Sequence, residues 1–107
     1  MKQIKWIFTI IVLSTASNIF AAERFQSGKI YDITSTGDGL LIRLEGNMVP
    51  TKCPNYKGRG WMLIPEQNKT MISVALEHFM HGKKEATVHT FGTLGIYCKV
   101  NQYDPHN

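Results

Sequence analysis

A chain of 107 residues with 12 basic and 8 acidic side chains has room for a single small domain. The formal net charge of +4 is too small for the dense basic stripe of nucleic-acid-binding proteins, so we expect no nucleic-acid partner. No internal repeat, low-complexity tract or interdomain linker is visible in the sequence, which excludes repeat arrays and a multidomain organisation.

The first 21 residues have the organisation of a secretory signal peptide. Lys2 and Lys5 form a basic start, residues 6–13 are apolar, and the segment ends at Ala21, a small residue suited to cleavage. The apolar run is far shorter than the roughly 20 residues that span a bilayer. We therefore predict cleavage after Ala21, a mature domain of residues 22–107 without membrane insertion, and a periplasmic or secreted location. Loss of the two lysines lowers the net charge from +4 to +2.

The predicted mature domain contains two cysteines, Cys53 and Cys98. In an oxidising compartment, an even pair of cysteines in a small domain favours a disulfide, and only one pairing exists within the chain. The alternative is two free buried thiols. We expect the disulfide because the domain is predicted to be exported, and the bond would stabilise a domain whose hydrophobic core is thin.

Short segments of alternating polar and apolar residues, separated by turn residues, predict five strands. The glycine-rich turn Gly37-Asp38-Gly39 joins the first two into a hairpin. The second strand has Leu40, Ile42 and Leu44 on one face, and Leu41, Arg43 and Glu45 on the other. The predicted strands are Lys29 to Thr36, Leu40 to Glu45, Trp61 to Ile64, Ala86 to Phe91 and Ile96 to Asn101.

One helix is predicted from Lys69 to His81, with Asn68 as its N-cap and Gly82 after its end. Its helical period places Ile72, Ala75, Leu76 and Phe79 on one apolar face. The residues from Tyr103 to the C-terminus are expected to be frayed.

The predicted order is therefore β-β-β-α-β-β, mainly β with one helix. Five strands with a helix between the third and fourth are typical of the OB-fold, a small Greek-key barrel, and we predict such a five-stranded barrel. A mixed α+β sandwich has the same order and remains an alternative.

The loop before the third strand carries the candidate ligand-binding residues Tyr56, Arg59 and Trp61. Aromatic faces stack on sugars or bases, and guanidinium groups donate hydrogen bonds to hydroxyl, carboxylate or phosphate oxygens. The alternative is that Trp61 is a core residue at the start of its strand. Asn68 begins a glycosylation acceptor sequence, Asn-Lys-Thr, but we favour its role as a helix cap.

We expect no metal, cofactor or catalytic centre. His78 and His81 lie three residues apart on the helix, and Glu77 or His89 could complete a metal site. The helical period, however, places both helical histidines toward solvent. The sequence has no Gly-x-Ser-x-Gly nucleophile motif and no glycine-rich phosphate loop followed by a helix, so we predict that the chain is not an enzyme.

Several short motifs resemble the B subunits of bacterial A–B toxins, in particular the subtilase-cytotoxin and pertussis-like B subunits. The resemblance covers nearly all of the mature chain. It rests on the Cys53 loop followed by Gly60-Trp61, on Met71 to Leu76 leading to Gly82, on Ala86-Thr87-Val88 and on Gly95 to Cys98. The chain is shorter than those subunits, and no glycan-binding residue is transferred from them.

The resemblance implies a non-enzymatic lectin-like domain that binds host glycans and often assembles as a ring of five, so the expected partners are a glycan or a protein ligand and copies of the chain. The alternative role is a monomeric periplasmic envelope protein or an enzyme inhibitor. Binding of single-stranded nucleic acid, which OB-folds often perform, is disfavoured by export and by the low charge.

Overall fold

The protein is mainly β with one helix. The computed structural model describes residues 23–53, 59–82 and 85–106, so the predicted signal peptide lies outside the described residues. The elements are β1 (Phe25–Thr36), β2 (Gly39–Leu44), a 3₁₀ turn (Glu45–Asn47), β3 (Trp61–Pro65), α1 (Lys69–Met80), β4 (Glu85–Leu94) and β5 (Tyr97–Pro105). The helix falls between β3 and β4, which confirms the predicted order β-β-β-α-β-β.

The five strands form one closed sheet in the order β1-β2-β3-β5-β4, in which β4 pairs again with β1. Neighbouring strands are antiparallel except for β3 and β5, which run parallel with Met62 beside Cys98. Because β1 is long, its first half pairs with β4 while its second half pairs with β2. A bulge between Ile30 and Asp32 lies just after the point where the pairing partner changes. Bulges bend a strand, which helps a sheet to close.

The core lies inside the closed sheet and follows from the alternation in the sequence. On β2, the residues predicted to share one face, Leu40, Ile42 and Leu44, all belong to the core. Burial of one such side chain contributes about 1.5–3 kcal/mol. The other buried apolar residues of this cluster are Ile30, Met62, Ile64, Ala75, Ala86, Val88, Cys98, Val100 and Tyr103.

Two leucines on the opposite side of the sheet are also buried. Leu41 of β2 pairs with Leu63 of β3, and both are almost inaccessible although neither belongs to the main core cluster. The outward-facing side of β2 and β3 is therefore partly apolar.

Helix α1 packs its predicted apolar face on this core. Ala75 is fully buried, and Ile72, Leu76 and Phe79 pack against the core cluster. The prediction for Asn68 is only half right. Asn68 is the N-cap residue, but its side chain makes no capping hydrogen bond. Its backbone serves the helix instead, because its carbonyl accepts a hydrogen bond from the amide of Ile72.

Residues 103–105 belong to β5 and are not a frayed tail, so that prediction was wrong for them, and Asn107 lies outside the described residues. Strand β5 continues to Pro105, and Ala86 of β4 pairs with that proline. Tyr103 pairs with Val88 and is buried. The apolar period of residues 96–101 predicts a shorter strand, but pairing with β4 supplies hydrogen bonds that a polar sequence does not reveal.

The disulfide predicted between Cys53 and Cys98 is confirmed, with a Cα–Cα distance of 5.9 Å. It joins the loop after β2 to β5, and Cys98 lies in the core. Within the described residues, no helix has the length and apolar character needed to cross a membrane.

Candidate ligand-binding face

A cluster of polar and aromatic side chains lies on the outward-facing side of β1, β2 and β3. Strand register places Asp32 opposite Arg43, and Arg43 opposite Trp61. Because residues opposite each other on neighbouring strands share a face, these three side chains lie in one row across the sheet. Tyr31, at the bulge of β1, contacts Arg43 from the other side. We call Tyr31, Asp32, Arg43 and Trp61 the arginine–aromatic face.

The guanidinium group of Arg43 is the centre of this face. It lies 4.2 Å from the ring centroid of Trp61 and 5.1 Å from that of Tyr31. Its Nη2 atom donates a hydrogen bond of 2.6 Å to Oδ2 of Asp32, which makes an ion pair. A cation over an aromatic face contributes about 0.5–1 kcal/mol at an exposed site. These contacts hold the planar group in one orientation.

Arg43 and Asp32 retain access to solvent, with 21% and 41% of their side chains exposed. The Nε atom of Arg43 is buried and has no hydrogen-bond partner among the described residues. Desolvation without a partner is costly for an N–H donor. The face thus combines a fixed cation, a more exposed carboxylate and two aromatic rings.

The two ends of the long loop between β2 and β3 meet beside this face. The hydroxyl of Tyr31 donates a hydrogen bond to Oδ1 of Asn47, where the loop begins. Gly60, where the loop ends, has a φ of +91°, and a Cβ there would lie 2.9 Å from the Cα of Asn47. Glycine therefore allows the two loop ends to pack closely next to Trp61.

The predicted binding residues have different positions. Trp61 begins β3 as expected but lies half-buried on the arginine–aromatic face, outside the buried core. Arg59 is exposed and has a φ of +52°. Tyr56 lies outside the described residues.

Sequence reasoning missed Tyr31, Asp32 and Arg43 as members of this face. A signal was available for Arg43, because the alternation of β2 places it on the opposite face from the three core leucine and isoleucine residues. The hairpin register then brings Asp32 next to it. Tyr31 could not be placed in this way, because the bulge that turns it toward Arg43 has no clear sequence pattern.

The prediction that His78 faces solvent was wrong. Its Nδ1 atom lies 2.6 Å from the hydroxyl of Tyr103, and its Nε2 atom lies 3.3 Å from the carbonyl oxygen of His106. Because a carbonyl can only accept, Nε2 donates to His106 and, in the neutral ring, Nδ1 accepts from Tyr103. The cause is the unexpected length of β5, which brings Tyr103 against the helix. His81 is exposed, as expected.

No group of three or more potential metal ligands occurs in residues 23–53, 59–82 and 85–106. Both ring nitrogens of His78 already have protein partners. The described geometry therefore provides no support for a metal site at His78 and His81.

The buried Tyr103 predicts a specific pH dependence. Burial raises the pKa of its hydroxyl above the ordinary value. The unfolded chain loses this proton near pH 10. The stability contribution of protonated Tyr103 is therefore complete below about pH 10 and is lost as the pH rises toward the folded-state pKa. Tyr103→Phe cannot ionise, so its stability should fall less steeply above pH 10.

Urea unfolding of wild type and Tyr103→Phe between neutral and alkaline pH measures this effect. At neutral pH the variant should lose about 1 kcal/mol, because the hydrogen bond to His78 is absent. The difference should shrink as the pH rises above 10. Parallel curves for the two proteins at all pH values would show that ionisation of Tyr103 does not contribute.

Comparison of the chain with protein families, with curated proteins and with solved structures finds no match. The functional assignment therefore rests on the residues and their geometry.

Proposed function

We propose that this chain is an exported, disulfide-bonded, non-enzymatic domain with an OB-fold, which binds glycans through the arginine–aromatic face. The strand connections support the fold. A closed sheet in the order β1-β2-β3-β5-β4, with the helix between β3 and β4, supports a five-stranded Greek-key barrel. OB-folds bind oligosaccharides and oligonucleotides on the face that includes strands 2 and 3. Arg43 and Trp61 of the arginine–aromatic face lie on those two strands, and Tyr31 and Asp32 lie on the neighbouring β1.

The observation that carries the proposal is the Arg43 guanidinium fixed between two rings and paired with Asp32. Aromatic rings present a flat apolar surface to the C–H face of a sugar, while the guanidinium donates to hydroxyl groups and the carboxylate accepts from them. Since Asp32 neutralises Arg43, the pair suits a hydroxyl-rich ligand better than a polyphosphate backbone. This charge balance favours glycans over nucleic acid.

The disulfide supports the proposed export. Bonds of this kind persist in the periplasm and outside the cell but are rare in the cytosol. The predicted leader of residues 1–21 provides the route.

A glycan array tests the proposal with the mature domain, residues 22–107. We expect binding to at least one glycan class and a loss of about tenfold or more in Trp61→Ala, because removal of a stacking ring from a binding site typically costs more than 1 kcal/mol. Phe91→Ala is the matched control, since Phe91 is an aromatic residue on β4 with 58% of its surface exposed. The control should bind as wild type does. A blank array, or equal binding by Trp61→Ala, would contradict the proposal.

A second candidate function is binding of an envelope protein, and one observation favours it. The β4–β5 hairpin and the start of β1 expose four large apolar side chains: Phe25, Phe91, Leu94 and Ile96. The guanidinium of Arg24 lies 4.7 Å from the ring centroid of Phe91. Exposed apolar patches on small domains often mark protein interfaces. A blank array would favour this second function.

A further inference from the structure

The second half of β1 has a strand partner on one side only. Residues 25–29 pair with β4, whereas Ile30 and residues 32–36 pair with β2. Within the described part of the chain, no strand pairs with the other edge of Ile33 to Thr36. Every second backbone N–H and C=O group along this edge is therefore available to a further strand.

This edge forms one wall of an open groove of about 750 Å³. Helix α1 forms the opposite wall, with Lys69, Ile72, Ser73 and Leu76 facing the groove across two helical turns. The remaining lining residues are Gly39, Leu40 and Glu66. The groove thus has apolar surface from isoleucine and leucine side chains and a rim of hydroxyl groups.

The two walls have matching lengths. Four strand residues extend for about 13 Å, and the helix rises by about 10 Å between Lys69 and Leu76. A groove of this length can hold one extended segment of about four residues. Glu66 and Lys69 both line it and have opposite charges, so their charges balance and do not favour a charged ligand.

We propose that this groove binds an extended, uncharged peptide segment of a partner protein, which adds to β1 as an additional strand. The backbone of the peptide would pair with the free edge of β1, and alternate apolar side chains would contact Ile72 and Leu76. This mode of recognition uses main-chain hydrogen bonds for affinity and alternate side-chain contacts for specificity. The site is separate from the arginine–aromatic face, so its test is independent of glycan binding.

The experiment begins with selection of phage-displayed random heptapeptides on the immobilised mature domain. We expect enrichment of uncharged peptides with alternating apolar residues. A synthetic copy of the most enriched peptide should shift the backbone amide NMR signals of residues 33–36 and slow their hydrogen exchange. Failure to enrich any peptide, or signal changes confined to other residues, would overturn the proposal.

Two further measurements identify the binding mode. Ser73→Trp fills the groove from an exposed helix position and should weaken peptide binding about tenfold or more. Thr70→Trp is the control, because Thr70 is exposed on the same helix but does not line the groove. Two versions of the peptide, one with methylated backbone nitrogens at the odd residues and one at the even residues, should differ in binding. Only one version should bind, because only one of these two sets of amides faces β1.

Equal binding of the two N-methylated versions of the peptide would exclude strand addition. Equal binding by Ser73→Trp and wild type would exclude the groove. In the absence of peptide, the amides of residues 33–36 could become more protected from hydrogen exchange as the protein concentration increases. This result would assign the edge to a second copy of this chain and would also overturn the proposal of a partner peptide.

Discussion

Reduction of the Cys53–Cys98 disulfide is expected to lower the free energy of unfolding by about 4 kcal/mol. The bond closes a loop with a sequence separation of 45 residues, and the chain-entropy model gives this value for a loop of that size. Small domains have total stabilities of about 5–15 kcal/mol, so the loss is a large fraction of the whole. In a thermal scan, the midpoint should fall by roughly 15 °C or more.

Circular dichroism of the mature domain with and without reductant measures this loss. The Cys53→Ala/Cys98→Ala double variant is the control. Its midpoint should be low from the start and should not respond to reductant. A wild-type midpoint that is the same in both conditions would contradict the expected contribution.

The Gly39→Ala variant is expected to lose several kcal/mol of stability, because two unfavourable effects coincide. Gly39 has a φ of +145°, which residues with a Cβ rarely adopt. An added Cβ would also collide with the carbonyl oxygen of Ile64 and lie 2.8 Å from the amide nitrogen of Glu66. Both atoms belong to the backbone, and the amide of Glu66 is already held by a hydrogen bond to Asp38. The clash can be relieved only by moving β2 away from the end of β3.

Gly37→Ala in the same turn is a closely matched control. An added Cβ at Gly37 has no neighbour within 4 Å, so this variant should differ from wild type by about 0.5 kcal/mol or less. Chemical unfolding of both variants compares them directly. Equal stabilities for the two alanine variants would show that the close approach at Gly39 does not constrain the fold.

Local patterns were sufficient to predict most of the elements. The turn at Gly37-Asp38-Gly39 and the alternation of β2 correctly indicated the hairpin, because both depend on neighbouring residues. The helix and its apolar face were predicted for the same reason, with the end displaced by only one residue. The disulfide was predictable from the oxidising compartment expected after export and from the number of cysteines, because two cysteines allow only one pairing.

Features that depend on distant residues were not predictable in this way. The extension of β5 through Tyr103 requires pairing with β4, and the position of His78 depends on that extension. The outward pair Leu41 and Leu63 breaks the simple alternation of buried and exposed residues. In each case the tertiary contact overrides the local preference.

The candidate site also combines a residue that the local sequence indicated with residues that only the strand register brings to it. Trp61 was selected from the composition of its loop, which is a local signal. Its partners Asp32 and Arg43 come from two other strands, and only the register brings them together. The bulge that adds Tyr31 is a property of the closed sheet rather than of any short segment.

The fluorescence of Trp61 tests most directly whether a glycan binds on the arginine–aromatic face. The chain contains two tryptophans, Trp6 and Trp61, so the mature domain from residue 22 has Trp61 alone. Titration with the glycan that binds most strongly on the array should change its emission in a saturable manner, because the sugar covers a ring that is partly exposed to solvent. Binding of that glycan with unchanged Trp61 emission would show that it does not bind on the arginine–aromatic face.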